Sequence, residues 1–224
     1  REFREAGAQV LTTNTWAANR AKLGAFGLAE RTADINRAGA QLARRALGGE
    51  GGWVAGCIGP LGMTLEPFGP LPLEEARRSV QEQALALLEG GVDLFVLESF
   101  QDLHEALEAL ASVKAVSDLP VAALFSADEG GVGGGGFSVN PEWFVRKLSE
   151  AGADLVGISE GAGPATILEM LGRLREVASA PILVQPSAGL PRVVDGRLLY
   201  MANPEYLGEF ARQAFLAGAR AIGG

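Results

Sequence analysis

Asp154-Leu-Val-Gly-Ile-Ser-Glu160-Gly-Ala-Gly-Pro164 is the stretch that decides the fold. Asp154 to Ser159 is short, apolar and β-branched, as in a buried strand. Gly161, Gly163 and Pro164 interrupt it, and helical spacing resumes from Thr166. A strand that ends in a polar group just before a helix is where barrels and doubly wound sheets place their chemistry. Two further stretches share the design: Asp93-Leu-Phe-Val-Leu-Glu98-Ser-Phe and Pro181-Ile-Leu-Val-Gln-Pro186-Ser187-Ala-Gly.

Outward from these tips the same grammar recurs. Ala8-Gln-Val-Leu-Thr-Thr-Asn14-Thr, Trp53-Val-Ala-Gly-Cys-Ile-Gly59-Pro60 and Leu119-Pro-Val-Ala-Ala-Leu-Phe-Ser126 read as strands. A helical region over 17–47, broken near Gly24 and Gly27, carries Ile35, Leu42 and Ala46 as an apolar stripe. Helices are predicted over 73–89, with Val80, Ala84, Leu87 and Leu88 on one face, and over 103–116 behind an Asp102 cap. Asn140-Pro141 and Asn203-Pro204 pair a capping amide with a proline at the first helical position. One phrase joins helix to strand in Glu5-Ala-Gly-Ala8, Glu89-Gly-Gly-Val-Asp93, Glu150-Ala-Gly-Ala-Asp154 and Leu216-Ala-Gly-Ala219. The glycine ends a helix and the next strand enters the core. Regular alternation with near-continuous apolar strands means a parallel sheet covered by helices. The expectation is an α/β (β/α)8 TIM barrel in one domain over 1–224, lacking the first βα unit and the part after the last strand.

Composition limits the function classes. The 224 residues suffice for one large core, and 48% hydrophobic with 21% charged residues is ordinary for a globular chain. A formal net charge of −8 argues against a general nucleic-acid binder, whose affinity comes from neutralising phosphates. No apolar run reaches the roughly 18 residues of a membrane span, and the charged start, Arg1-Glu-Phe-Arg-Glu, does not read as a leader. A lone cysteine, Cys57, forms no internal disulfide and fits a cytoplasmic place. A lone histidine, His104, excludes any site that needs two.

Among candidate residues, Glu98 closes an apolar strand, where a carboxylate is costly unless paired or ligand-bound. It reads either as a functional carboxylate or as one hydrogen-bonded to loop amides. Asn14 is a pocket amide or a turn former. Glu160 is a metal ligand, a substrate-binding carboxylate or a helix cap. Asp128 to Gly136 lacks the lysine and spacing of a nucleotide loop and reads as a lid. His104 is expected to face solvent. Cys57 reads as a small buried residue, and Trp16, Trp53 and Trp143 as packing.

Four segments together carry a resemblance. They are Ala6-Gly-Ala-Gln-Val-Leu-Thr-Thr-Asn14-Thr-Trp-Ala-Ala-Asn19-Arg20-x-Lys-Leu, Val54-Ala-Gly-Cys-Ile-Gly-Pro60, Gly91-Val-Asp-Leu-Phe-Val-Leu-Glu98-Ser-Phe-Gln-Asp102 and Pro186-Ser-Ala-Gly-Leu-Pro-Arg192. In register from end to end, the chain resembles the homocysteine S-methyltransferase family, which includes betaine–homocysteine methyltransferase and the homocysteine domain of cobalamin-dependent methionine synthase. The resemblance implies a (β/α)8 barrel, a small amino-acid thiol and a methyl donor as partners, and methionine as product. It also implies zinc held by three thiolates, which lowers the substrate thiol's pKa. Glu98 matches the glutamate that binds the substrate ammonium, and Asn14 a pocket asparagine. Ser159 and Glu160 replace the family's Asn-Cys tip, so Glu160 takes the catalytic and metal position of a cysteine. Ser187 stands in place of an asparagine near the metal. Gly223-Gly224 matches the pair that precedes the other two cysteines. Two readings follow: a thiol methyltransferase, or a metal-free, non-catalytic or repurposed barrel of the same family that binds a small molecule as one module of a folate- or corrinoid-linked protein; further domains of a longer chain are among the expected partners.

Overall fold

The computed structural model describes residues 2–49, 51–126, 140–159, 161, 163–189, 192–194, 196–200 and 202–224. The chain divides into two compact units, Arg1–Ala123 and Leu124–Gly224.

The first unit opens with a short helix α1 (Glu2–Glu5), then β1 (Val10–Thr12) and α2 (Arg20–Gly24). A 3-10 turn at Ala29–Arg31 leads into α3 (Thr32–Leu47), followed by β2 (Trp53–Ile58), α4 (Leu73–Glu89), β3 (Leu94–Phe100) and α5 (Leu103–Lys114). The break expected near Gly24 and Gly27 is therefore real, and Asn19 caps α2 by accepting the Lys22 N–H at 2.9 Å. In α3 the sequence stripe is not the packed one. Leu42 is exposed, whereas Thr32, Asn36, Ala40 and Leu47 are buried. Polar groups reach that face because each finds a carbonyl: Asn36 donates to Ala18 O and Thr32 O, and Thr32 to Ala29 O. Helix α4 follows its expected spacing, burying Ala76, Val80, Ala84 and Leu87. Asp102 caps α5 through the N–H groups of His104 and Glu105.

Strand β4 (Val121–Phe125) crosses the division. The second unit continues with α6 (Pro141–Glu150), β5 (Leu155–Ser159), α7 (Pro164–Val177) and β6 (Ile182–Gln185). Next come an antiparallel pair, β7 (Arg192–Val194) and β8 (Arg197–Leu199), then α8 (Pro204–Ala217) and β9 (Ala221–Ile222). Asn140 and Asn203 cap α6 and α8 as expected, each with proline next in line. Gly218 ends α8 in the left-handed region at φ 112, which favours glycine.

The strand order is β1-β2-β3-β4-β5-β6-β9. The pairings of β1 with β2, β2 with β3, β5 with β6 and β6 with β9 are parallel. The order never reverses, so the topology has no switch point of the doubly wound kind; it is the singly wound order of a (β/α)8 fold, with seven of its strands among the described residues. In the first unit α3 packs against α4 and α4 against α5; α3 and α4 both lie on β2, and α5 lies on β3. The joining phrase has a mechanical role at Asp93, whose Oδ2 accepts the Val54 N–H at 2.7 Å and pairs with Arg44 Nη2 at 2.7 Å. It holds the entry of β2 to that of β3.

Candidate functional site

Register decides which side chains can meet. Cys57 pairs with Val96, so Cys57, Val96 and Glu98 share one face of the sheet. Gly56 and Phe95 lie on the other, where a side chain on Gly56 would meet Leu87 of α4 and Val92 of the turn after it. The carboxyl ends of β1, β2 and β3 thus bring Thr13, Thr15, Cys57 and Glu98 together on one side.

Thr13 and Thr15 are buried, with hydroxyl oxygens 2.6 Å apart. Thr15 Oγ1 donates to Cys57 O at 2.7 Å, and Cys57 N–H donates to Thr13 Oγ1 at 2.9 Å. A hydroxyl carries one proton, and that of Thr15 is already used; Thr13 therefore donates to Thr15. The result is a closed ring of hydrogen bonds that fixes both backbone groups of Cys57. Asn14, between the two threonines, is exposed.

The Cys57 thiol donates to Glu98 Oε2 at 3.0 Å. Cys57 is 1% exposed, while Glu98 is half-buried. Ser99 follows with φ 64, a left-handed conformation that non-glycine residues seldom hold and that clusters at functional sites. Trp16 covers the backbone beside it. Its indole lies over Gly59, where a Cβ would come within 2.5 Å of Nε1, and Nε1 donates to Glu98 O at 3.2 Å. Lys22 Nζ sits 3.8 Å from the Trp16 ring centroid, a cation–π distance. Burial holds the Lys22 ammonium below its ordinary pKa, against the opposing pull of Glu105. Burial likewise raises the Glu105 carboxyl, outweighing the Leu61 N–H that it accepts at 2.7 Å; Asp102 adds to the rise and Lys22 opposes it.

In the second unit, Ser159 and Gln185 are register partners at the ends of β5 and β6. Ser159 is fully buried; Ser187 is half-buried, and its Oγ accepts the Gly189 N–H at 3.0 Å, a local turn. Glu160 and the loop from Asp128 to Gly136 lie outside the described residues.

The structure therefore places Asn14 beyond β1 and Glu98 on β3, with β2 between them, and Ser159 and Ser187 at the ends of the paired strands β5 and β6. His104 is only half-exposed, and its Nε2 is shielded from solvent. Sequence reasoning missed the thiol–carboxylate contact and the threonine ring. The available signal was the Thr-Thr-Asn-Thr run at a strand end facing a strand whose Cys57 and Ile58 differ in face. A metal has a poor donor set here: among the described residues no three His, Cys, Asp or Glu side chains converge, and the one thiol is engaged with Glu98. Those residues do not fit a zinc ion.

Comparison with known proteins agrees with this architecture. The family model for homocysteine S-methyltransferase matches residues 1–224. Methionine synthase of Mycobacterium tuberculosis is 31% identical over 236 residues, covering 100% of this chain and 20% of the relative. Betaine–homocysteine S-methyltransferase 1 of Danio rerio is 27% identical over 246 residues, covering 100% of this chain and 59% of that protein. Among solved structures, the metallated form of the Escherichia coli homocysteine methyltransferase MmuM superposes with a TM-score of 0.78 at 22% identity, over 100% of this chain and 76% of its own. The chain spans about a fifth of the length of the methionine synthases it matches. With the family model matched along its whole length and the singly wound sheet in place, the chain belongs to the homocysteine S-methyltransferase family.

Proposed function

We propose that this chain binds the amino-acid thiol homocysteine and presents its sulfur to a methyl donor, giving methionine. The observation that carries the reading is Glu98: a half-buried carboxylate at a strand's carboxyl end, with one oxygen held by a thiol and its backbone covered by Trp16. A carboxylate so placed suits the ammonium of an α-amino acid, a charge-assisted contact. The relatives' names support the class of substrate, since they are methionine synthases and homocysteine methyltransferases.

In this reading Glu98 orients the amino acid, and Asn14, Ser159 and Ser187 take the pocket positions that the family phrase gives them. The reaction is a displacement. A lone pair on the substrate sulfur forms the S–CH3 bond as the donor–CH3 bond breaks; the donor leaves with that bond's electrons, and the thiol proton is lost. Orientation is the share of catalysis that the described residues supply. Zinc is the family's implied activator of the thiol, and Glu160 stands at its sequence position. No step is assigned to it, because the described donors do not fit. A non-catalytic barrel is the less favoured reading, because the relatives matched along the whole chain carry enzyme names. Further domains and a cytoplasmic place accord with the much longer methionine synthases and with the lone cysteine. No helix among the described residues is long and apolar enough to cross a membrane.

The test is calorimetric titration with L-homocysteine. Glu98→Ala is expected to weaken binding by about 2–4 kcal/mol, the loss of a desolvated charge pair. Equal affinity in wild type and variant refutes the assignment.

A further inference from the structure

The ring of hydrogen bonds around Cys57 lies beyond the ladder that holds β1 to β2. Thr13 N–H donates to Ala55 O at 2.9 Å, and β1 pairs with β2 over three residues below it. What the ring adds is immobility of one side chain. Both backbone groups of Cys57 are tied to the threonine hydroxyls, and its thiol has no open space in which to turn. That thiol meets the carboxylate on the neighbouring strand diagonally, two residues beyond its register partner Val96.

We infer that Cys57 is a positioning residue for Glu98: its thiol fixes the plane of the carboxylate that receives the substrate ammonium. The inference rests on the reading of Glu98 given above. A glutamate has three side-chain torsions, and its carboxyl rotor is broad. Immobilising such a side chain at the moment of binding costs about 0.5–1.5 kcal/mol. A carboxylate already held at one oxygen has met that cost during folding. The thiol is a weak donor, so it orients Glu98 without competing strongly with an incoming ammonium. The chain of command runs across three adjacent strands, from Thr13 and Thr15 on β1, through Cys57 on β2, to Glu98 on β3.

The experiment compares Cys57→Val, Cys57→Ser and Glu98→Ala with wild type, by homocysteine titration and by the infrared S–H stretch of the ligand-free protein. Cys57 is the chain's one cysteine, so the band reports this thiol alone. Valine keeps the side chain apolar, with one more methyl-sized group than the thiol, and removes the donor. It is expected to weaken homocysteine binding roughly 2- to 10-fold, the cost of ordering one side chain. Serine restores a donor and is expected to bind within about 2-fold of wild type. The S–H band is expected to move to higher frequency in Glu98→Ala. Thermal unfolding of Cys57→Val is followed in parallel; a variant that fails to fold leaves the decision to the serine variant and to the band. The inference is overturned if valine binds as wild type does, if serine loses as much as valine, or if the band does not move. Glu98→Ala separates the two levels. Should it bind as wild type does, the role of Glu98 and this inference fall together. Should it lose affinity while Cys57→Val does not, only the positioning role falls.

Discussion

The strand tips of the two units solve one problem by different means. At β1, β2 and β3, side chains hold side chains and backbone: hydroxyls bind the Cys57 backbone, a thiol binds Glu98, and an indole binds the carbonyl beside it. At β5 and β6 the closeness comes from what is missing. Gly157 brings β5 so near its neighbour that a Cβ there would stand 1.8 Å from Leu183 O. The first arrangement is built from groups that can be exchanged singly with graded effect. The second is built from an absence of atoms and tolerates no addition. Polar networks tune a site, whereas backbone contact sets a frame.

The largest effect is therefore expected in the second unit. Gly157→Ala forces backbone apart, not a flexible side chain, and is expected to cost more than roughly 4 kcal/mol, in the range reserved for core disruption. Urea unfolding followed by hydrogen exchange is expected to show residues of 140–224 losing protection first. Uniform loss across both units would erase the contrast. A smaller effect is expected from Gly59→Ala. Its Cβ would meet Trp16 Nε1 at 2.5 Å, but an indole at the surface can swing away. The expected cost is about 1–3 kcal/mol, with a red shift in Trp16 emission as the Glu98 O contact is lost. An unshifted spectrum would mean that the indole is not held as described.

The smallest effect concerns pH. Burial raises the Glu105 carboxyl in the folded chain, so the folded state binds its proton more tightly than the unfolded state does. Its contribution to stability is full below the ordinary carboxylate pKa and is lost as pH rises through the raised folded value. Glu105→Gln keeps an oxygen for the Leu61 N–H and has no such loss. The variant's stability relative to wild type is expected to climb across that window and then level off, by an amount on the order of tenths of a kcal/mol for a half-exposed group. A difference that is flat with pH would show that the carboxyl is not perturbed by its surroundings.

Much of this architecture was legible in the sequence, and the reason is periodic burial. Strand runs such as Leu94 to Leu97 are apolar throughout because helices cover them, and the caps at Asp102, Asn140 and Asn203 follow from orphan N–H groups at helix starts. The α3 stripe failed as a guide because the Asn36 amide and the Thr32 hydroxyl donate to carbonyls, which hydropathy does not register. At the site, Glu98 stood out as a charge ending an apolar run. Cys57 did not, because a buried cysteine reads as a small hydrophobe; its meaning lies in register with another strand, which spacing along one strand does not carry. Asn14 was marked by its place at a strand end and by the resemblance, and it lies in the open.

The uninterrupted order of the strands has a consequence for how the molecule is made. On the ribosome, β2 emerges after β1, β3 after β2, and each finds its sheet neighbour already synthesised. Loop closure between sheet neighbours then spans only the segment that joins consecutive strands of the order, which keeps its entropy cost small. A nascent polypeptide of this kind grows by increments, each strand of that order meeting a neighbour made just before it.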